Sequence, residues 1–247
     1  MIAQVRPLIR AAAAALVALL GGCGYAGSGA DNAFVRKAAW FDMLDGGDIR
    51  RACAPGAPDR LRLVYNQDYR SHVRIYDIDA GAPGAGGKPG DGAALAVVVV
   101  TDKPPALEIG LPIAVEGWGN NTARKALTPA ELGRLVGAIE RDRMLGPGPE
   151  GLRVDAFETF WTVSGCRGGK PVFDVARFPS DRFAGLTFPD ALFAHDATGV
   201  AVAPPRALAA EDLPLQNWSN ARETASYGRS HFTLVAGREG FRGALRL

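Results

Sequence analysis

Hydrophobic and polar residues change their period several times along this chain, and each change marks an element. From Arg60 to Asp79 (RLRLVYNQDYRSHVRIYDID) they alternate with a period of two, the pattern of strands. Leu61, Leu63 and Tyr65 form one apolar set and Val73 and Ile75 another, with Asn66-Gln67-Asp68 as the predicted turn of a hairpin. Ala93–Thr101 (AALAVVVVT) is apolar on both sides, which predicts a central buried strand. Phe157–Ser164 and Val172–Phe178 flank Arg167-Gly168-Gly169-Lys170, where a Gly-Gly pair supplies the positive φ values of a two-residue hairpin turn. A last strand is predicted over His231–Ala236.

Helical spacing appears in fewer places. Asp31 caps a predicted helix reaching Leu44, with Phe34, Ala38 and Phe41 near one face, and Asp48 opens a short turn ending at Cys53. Thr128–Leu145 carries the strongest signal. Thr128 with Glu131 makes a capping box, Pro129 suits the first helical position, and Leu132, Leu135, Val136 and Ile139 form one stripe. Gly146 and Pro147 are the predicted stop. Gly81–Gly92 (GAPGAGGKPGDG) reads as a connection. Its Gly-Lys pair lacks the upstream glycine, the Ser or Thr, and the following helix that a phosphate loop needs. Together these segments predict one α+β domain over residues 33–247, with an antiparallel or mixed sheet and a few packed helices.

The first 22 residues belong to a different class. Arg6 and Arg10 lie in a basic opening segment, Ala11–Leu20 is apolar but too short to span a bilayer, and small residues follow. Leu20-Gly21-Gly22-Cys23 resembles a lipobox, the processing signal of bacterial lipoproteins. The resemblance implies cleavage before Cys23, a diacylglycerol thioether on its sulfur, and acylation of the new amine. Gly24 is not the aspartate that retains many such proteins in the inner membrane, so the outer membrane, facing the periplasm, is the expected destination. Residues 23–32 then read as the lipidated N-terminus and a flexible tether.

Processing changes the charge. The signal holds two arginines and no acid, so the mature chain has 26 basic and 26 acidic residues and no formal net charge. No long-range field draws it to nucleic acid. With Cys23 assigned to lipid, Cys53 and Cys166 remain, and an even pair in an exported domain predicts a disulfide.

Candidate chemistry is sparse. The three histidines give no zinc spacing and the cysteines form no CxxC, so no metal and no cofactor is expected. Asp77-Ile78-Asp79 reads as a loop cap before the Gly-rich connection rather than a metal pair. A Ser–His–Asp set could be drawn through Ser164 or Ser226, but no G-x-S-x-G turn supports it. One arrangement stands out. Arg70, His72, Arg74 and Tyr76 share one face of a strand, opposite Val73 and Ile75, and read as a solvated outer face or as an open docking face for an acidic partner or anionic ligand. The expected function is a lipid-anchored, non-catalytic binding or accessory module with an envelope protein partner. An envelope hydrolase and a structural subunit of an envelope complex are the alternatives.

Overall fold

Apolar side chains on both sides of the strands make the main sheet an inner layer. The computed structural model describes residues 39–69, 71–81, 92–101, 119–207 and 232–242. In chain order the elements are α1 (Trp40–Leu44), α2 (Gly47–Ala52), β1 (Arg60–Asp68), β2 (His72–Asp79), β3 (Ala94–Thr101), β4 (Gly119–Ala126), α3 (Pro129–Arg141), β5 (Arg153–Asp155), β6 (Phe160–Arg167), β7 (Lys170–Arg177), α4 (Asp181–Ala184), α5 (Phe188–Phe193), β8 (Thr233–Ala236) and β9 (Phe241–Arg242). A six-stranded sheet runs β4-β3-β2-β1-β6-β7, every described pairing antiparallel, and a three-stranded sheet runs β5-β8-β9. This is the α+β domain the patterning predicts.

Each face of the large sheet carries its own core. On one side Leu135 and Ile139 of α3, with Phe188 and Leu192 of α5, pack on Leu63, Tyr76, Val97 and Trp161. On the other, Trp40, Met43 and Leu44 of α1 join Val154, Leu234 and Phe241 of the small sheet over Val64, Val73, Ile75 and Phe173. Burying one such side chain contributes about 1.5–3 kcal/mol. Both faces of β1 are therefore needed.

The β6–β7 turn forms at Gly168 and Gly169, with φ of 57° and 71°, as a two-residue hairpin requires. Gly46 is equally constrained: φ is 64°, and a Cβ there would run into the Ser164 side chain. Thr128 and Glu131 make both bonds of the capping box of α3. Cys53, just past α2, is bonded to Cys166 on β6, with Cα atoms 5.4 Å apart, inside the usual range.

Other expectations shift. Asn66-Gln67-Asp68 belongs to β1 and is not the turn, whose described residues are Tyr69 and Ser71. The Asn66 amide donates to the carbonyls of Ala156 (3.0 Å) and Glu158 (2.8 Å), holding it as an interior strand residue, and a bulge at Gln67 absorbs the irregularity. Helix α3 stops at Arg141, short of Leu145, because Arg143 turns to φ 57°. β3 lies second from the edge rather than at the centre, since the polar strand β4 pairs beyond it. Residues 31–38 and His231, at the ends of two predicted elements, lie outside the described residues.

Candidate functional site

The described part of the row expected to face solvent is covered. His72, Arg74 and Tyr76 are buried, the last two completely, and Arg70 lies outside the described residues. The cause is a segment without regular secondary structure, residues 196–206, that leaves α5 and lies over this face of β1 and β2. The Arg74 guanidinium ion-pairs with Asp196 and donates to the carbonyls of Val200 (2.6 Å) and Ala201 (2.8 Å). Its Nε donates to His72 Nε2 (3.2 Å). The Tyr76 hydroxyl donates to Asp196 (2.9 Å), and the Tyr65 hydroxyl to the carbonyl of Ala203 (2.8 Å). At the far end Arg206 pairs with Asp68 at 2.9 Å. The docking-face expectation is therefore corrected. Alternation sorted the side chains correctly, but His72, Arg74 and Tyr76 bind a strap of the same chain.

Burial sets the ionisation of this cluster. Tyr76 is pushed well above the ordinary phenol range by burial and by Asp196. Burial works to raise Asp196, but hydrogen bonds from Thr198 and Tyr76, with the Arg74 charge, bring it below its usual value. His72 is lowered to about 4, by burial first and then by the Arg74 charge. An unfolded histidine titrates near 6.5, so the unfolded chain takes up its proton before the folded one does. Stability is then held above pH ~6.5 and lost as pH falls toward 4, by about 3 kcal/mol over that window. Urea unfolding across this range should show the slope. His72→Gln, which keeps an acceptor toward Arg74, should flatten it.

Other buried ions also join segments of the chain. Arg62, fully buried, lies between Asp48 (2.6 Å) and Asp77 (2.7 Å), fastening α2 to β1 and β2. Arg182 of α4 pairs with Asp174 of β7. Asp79 accepts from the Gly81 amide at 2.9 Å, the loop cap expected of it. Among the described residues no three His, Cys, Asp or Glu side chains group as a metal set.

Two arrangements remain open to solvent. In the first, Lys125 Nζ lies 2.8 Å from His195 Nδ1 and 3.0 Å from Glu131. The Thr128 backbone amide and Lys125 hold Glu131 down at about 2. Lys125 thereby joins the start of α3 to the segment that follows α5.

The second is a groove of about 350 Å³ between α3 and the ends of β1 and β2. Leu61, Ile78, Leu132 and Val136 make its apolar floor, with Asp59, Glu140 and Arg167 at the rim. Arg167 bridges Asp59 and Glu140, and Asp59 also accepts from the Gly168 amide at 2.7 Å. The disulfide holds both sides of this rim, because Cys166 precedes Arg167 and Cys53 begins the stretch leading to Asp59. The groove depends on how a helix lies across a hairpin, which no local pattern encodes. The only trace in the sequence is Gly133 and Gly137, four apart on α3, which leave it open. A Cβ at Gly133 meets nothing within 4 Å. Gly133→Ala should therefore stabilise the protein by about 0.5–1 kcal/mol, read as a higher urea midpoint.

No protein-family model, curated protein sequence or solved structure matches the chain.

Proposed function

We propose that this is a lipid-anchored cell-envelope protein, held through Cys23 at the outer membrane facing the periplasm, that works as a non-catalytic binding or accessory module. The observation that carries the reading is the cysteine pairing. Cys53 bonds Cys166, and Cys23, last residue of the lipobox-like segment, is the one cysteine left over. A disulfide suits an oxidising compartment outside the cytoplasm, and a leftover thiol behind a signal-like segment suits lipidation. Cys23 itself lies outside the described residues.

The interior charges have a structural use. Arg62, Arg74 and Asp174 each hold two segments of the chain together. The partner is an envelope protein rather than nucleic acid, in keeping with a mature chain of zero formal charge.

Mass spectrometry of protein extracted from membranes tests the anchor. A diacylglyceryl-modified peptide beginning at Cys23 is expected, and retention of residues 1–22 would overturn it. Crosslinking in intact cells followed by pull-down tests the module. One stoichiometric envelope partner is expected, whereas turnover of cell-wall or ester substrates by the purified protein would replace this reading with a hydrolase.

A further inference from the structure

The two edges of the six-stranded sheet are built differently. β7 is guarded: Pro171 removes a donor near its start, and Arg182 of α4 reaches the strand, donating to the Val175 carbonyl at 3.2 Å. Such devices stop another strand from adding to an edge. β4 lacks both of these, and its charges, Arg124 and Lys125, discourage indiscriminate pairing but leave room for a strand of opposite charge. All eight of its residues pair with β3 in unbroken register, from Gly119 opposite Thr101 to Ala126 opposite Ala94. It holds no proline, and among the described residues no strand pairs with its other side. Alternate residues of an edge strand direct N–H and C=O groups away from their neighbour, a ready template for one more strand.

The side chains of β4 state what that strand would carry. Asn121, Thr122 and Arg124 are exposed and Lys125 is half-buried. Register separates the two cations. Lys125 lies opposite Leu95, on the α3 face, and Arg124 opposite Ala96, on the other. Lys125 is held by Glu131 and His195, whereas Arg124 has no acidic partner among the described residues. An added strand would therefore meet Arg124 as the cation with no acidic partner among the described residues, while Lys125 on the other face is already paired with Glu131. Opposite charges across strands stabilise pairing and like charges oppose it. A second copy of β4 laid across Arg124 and Lys125 would set cation against cation.

We infer that β4 is a docking edge, which takes an extended acidic segment of a partner protein by strand addition. This rests on the binding-module reading and gives it a surface. It also moves the acidic-partner contact from the covered face of β2 to the open edge of the same sheet.

The test uses the full-length, lipidated protein in detergent micelles. The probe is a short synthetic peptide alternating glutamate with valine, and the control is its lysine counterpart. The glutamate peptide should bind and slow amide exchange within residues 119–126 while leaving β7 unchanged, and salt should weaken it. Arg124→Glu should weaken it about five- to tenfold and shift preference toward the lysine peptide. Arg124 is exposed, so the variant should keep its unfolding midpoint.

Three results would overturn the inference. One is a glutamate peptide that leaves β4 exchange unchanged. Another is slow exchange of all β4 amides in the free monomer, meaning that the chain covers its own edge. The third is a dimer by light scattering in which β4 is protected, meaning that a second copy is the occupant. A stoichiometric envelope partner together with no peptide effect would sink the edge and leave the module reading standing. Substrate turnover together with peptide protection of β4 would do the reverse.

Discussion

Arg74→Met is expected to cost about 3–5 kcal/mol, the range for removing one partner of a buried ion pair. The guanidinium is fully buried and makes bonds that methionine cannot replace, to Asp196 and to the carbonyls of Val200 and Ala201. Losing it leaves the buried Asp196 carboxylate without its charge partner and takes the donor from two part-buried carbonyls. The carboxylate would keep Tyr76 and Thr198 as donors, which limits the loss but does not remove it. Denaturant unfolding should show a lower midpoint with an unchanged slope, provided that only stability has changed. An exposed arginine on a solvated face would cost at most about 0.5 kcal/mol. A loss that small would mean that the strap does not depend on Arg74.

The second large effect is on the disulfide. Cys53 and Cys166 are 113 residues apart, and a loop near that length corresponds to about 4.7 kcal/mol in the chain-entropy account. Native disulfides of small secreted domains typically contribute about 2–5 kcal/mol. Replacing both cysteines with alanine should therefore lower stability by several kcal/mol, and a reductant should produce the same shift in the native protein. Free-thiol labelling of the native oxidised protein at Cys53 would contradict the pairing. A double variant as stable as the parent would mean that the bond constrains nothing that the folded contacts do not already hold.

The patterning showed the strands and the side on which each residue stands, because the two-residue period is a property of the backbone itself. It did not show how many sides are covered. Arg62, His72, Arg74 and Tyr76 occupy the polar set of their strands, and one-sided burial would leave them wet. Their partners come from elsewhere: Asp48 lies 14 residues before Arg62, and Asp196 lies 122 after Arg74. A buried arginine and an exposed one look alike until such partners are placed. β4 was illegible for a different reason. Asn120-Asn121-Thr122-Ala123-Arg124-Lys125 has no alternation to read, and the strand is held by backbone pairing to β3. The N-terminal cap of α3, the Gly-Gly turn and the disulfide were legible, since each depends on residue types whose local chemistry or parity is decisive. The groove was not, because it belongs to the packing of two elements.

The seam between β1 and β6 divides the large sheet into two local parts. The strands β1 to β4 form one meander and β6 and β7 one hairpin, so their pairings join near neighbours in the chain. The β1–β6 ladder alone crosses a long gap, and it sets Arg60 opposite Cys166, the residue that also carries the disulfide. Closing a long loop is the slow step when distant strands must find one another. A slip of one residue at the seam would turn every side chain of one half to the wrong layer. Once oxidised, the chain searches for this pairing with one end already fastened, seven residues from Arg60 along the chain. Assembly speed and correct alignment of the two halves thus come from one covalent link, and the order of oxidation and pairing decides how much of the search is spared.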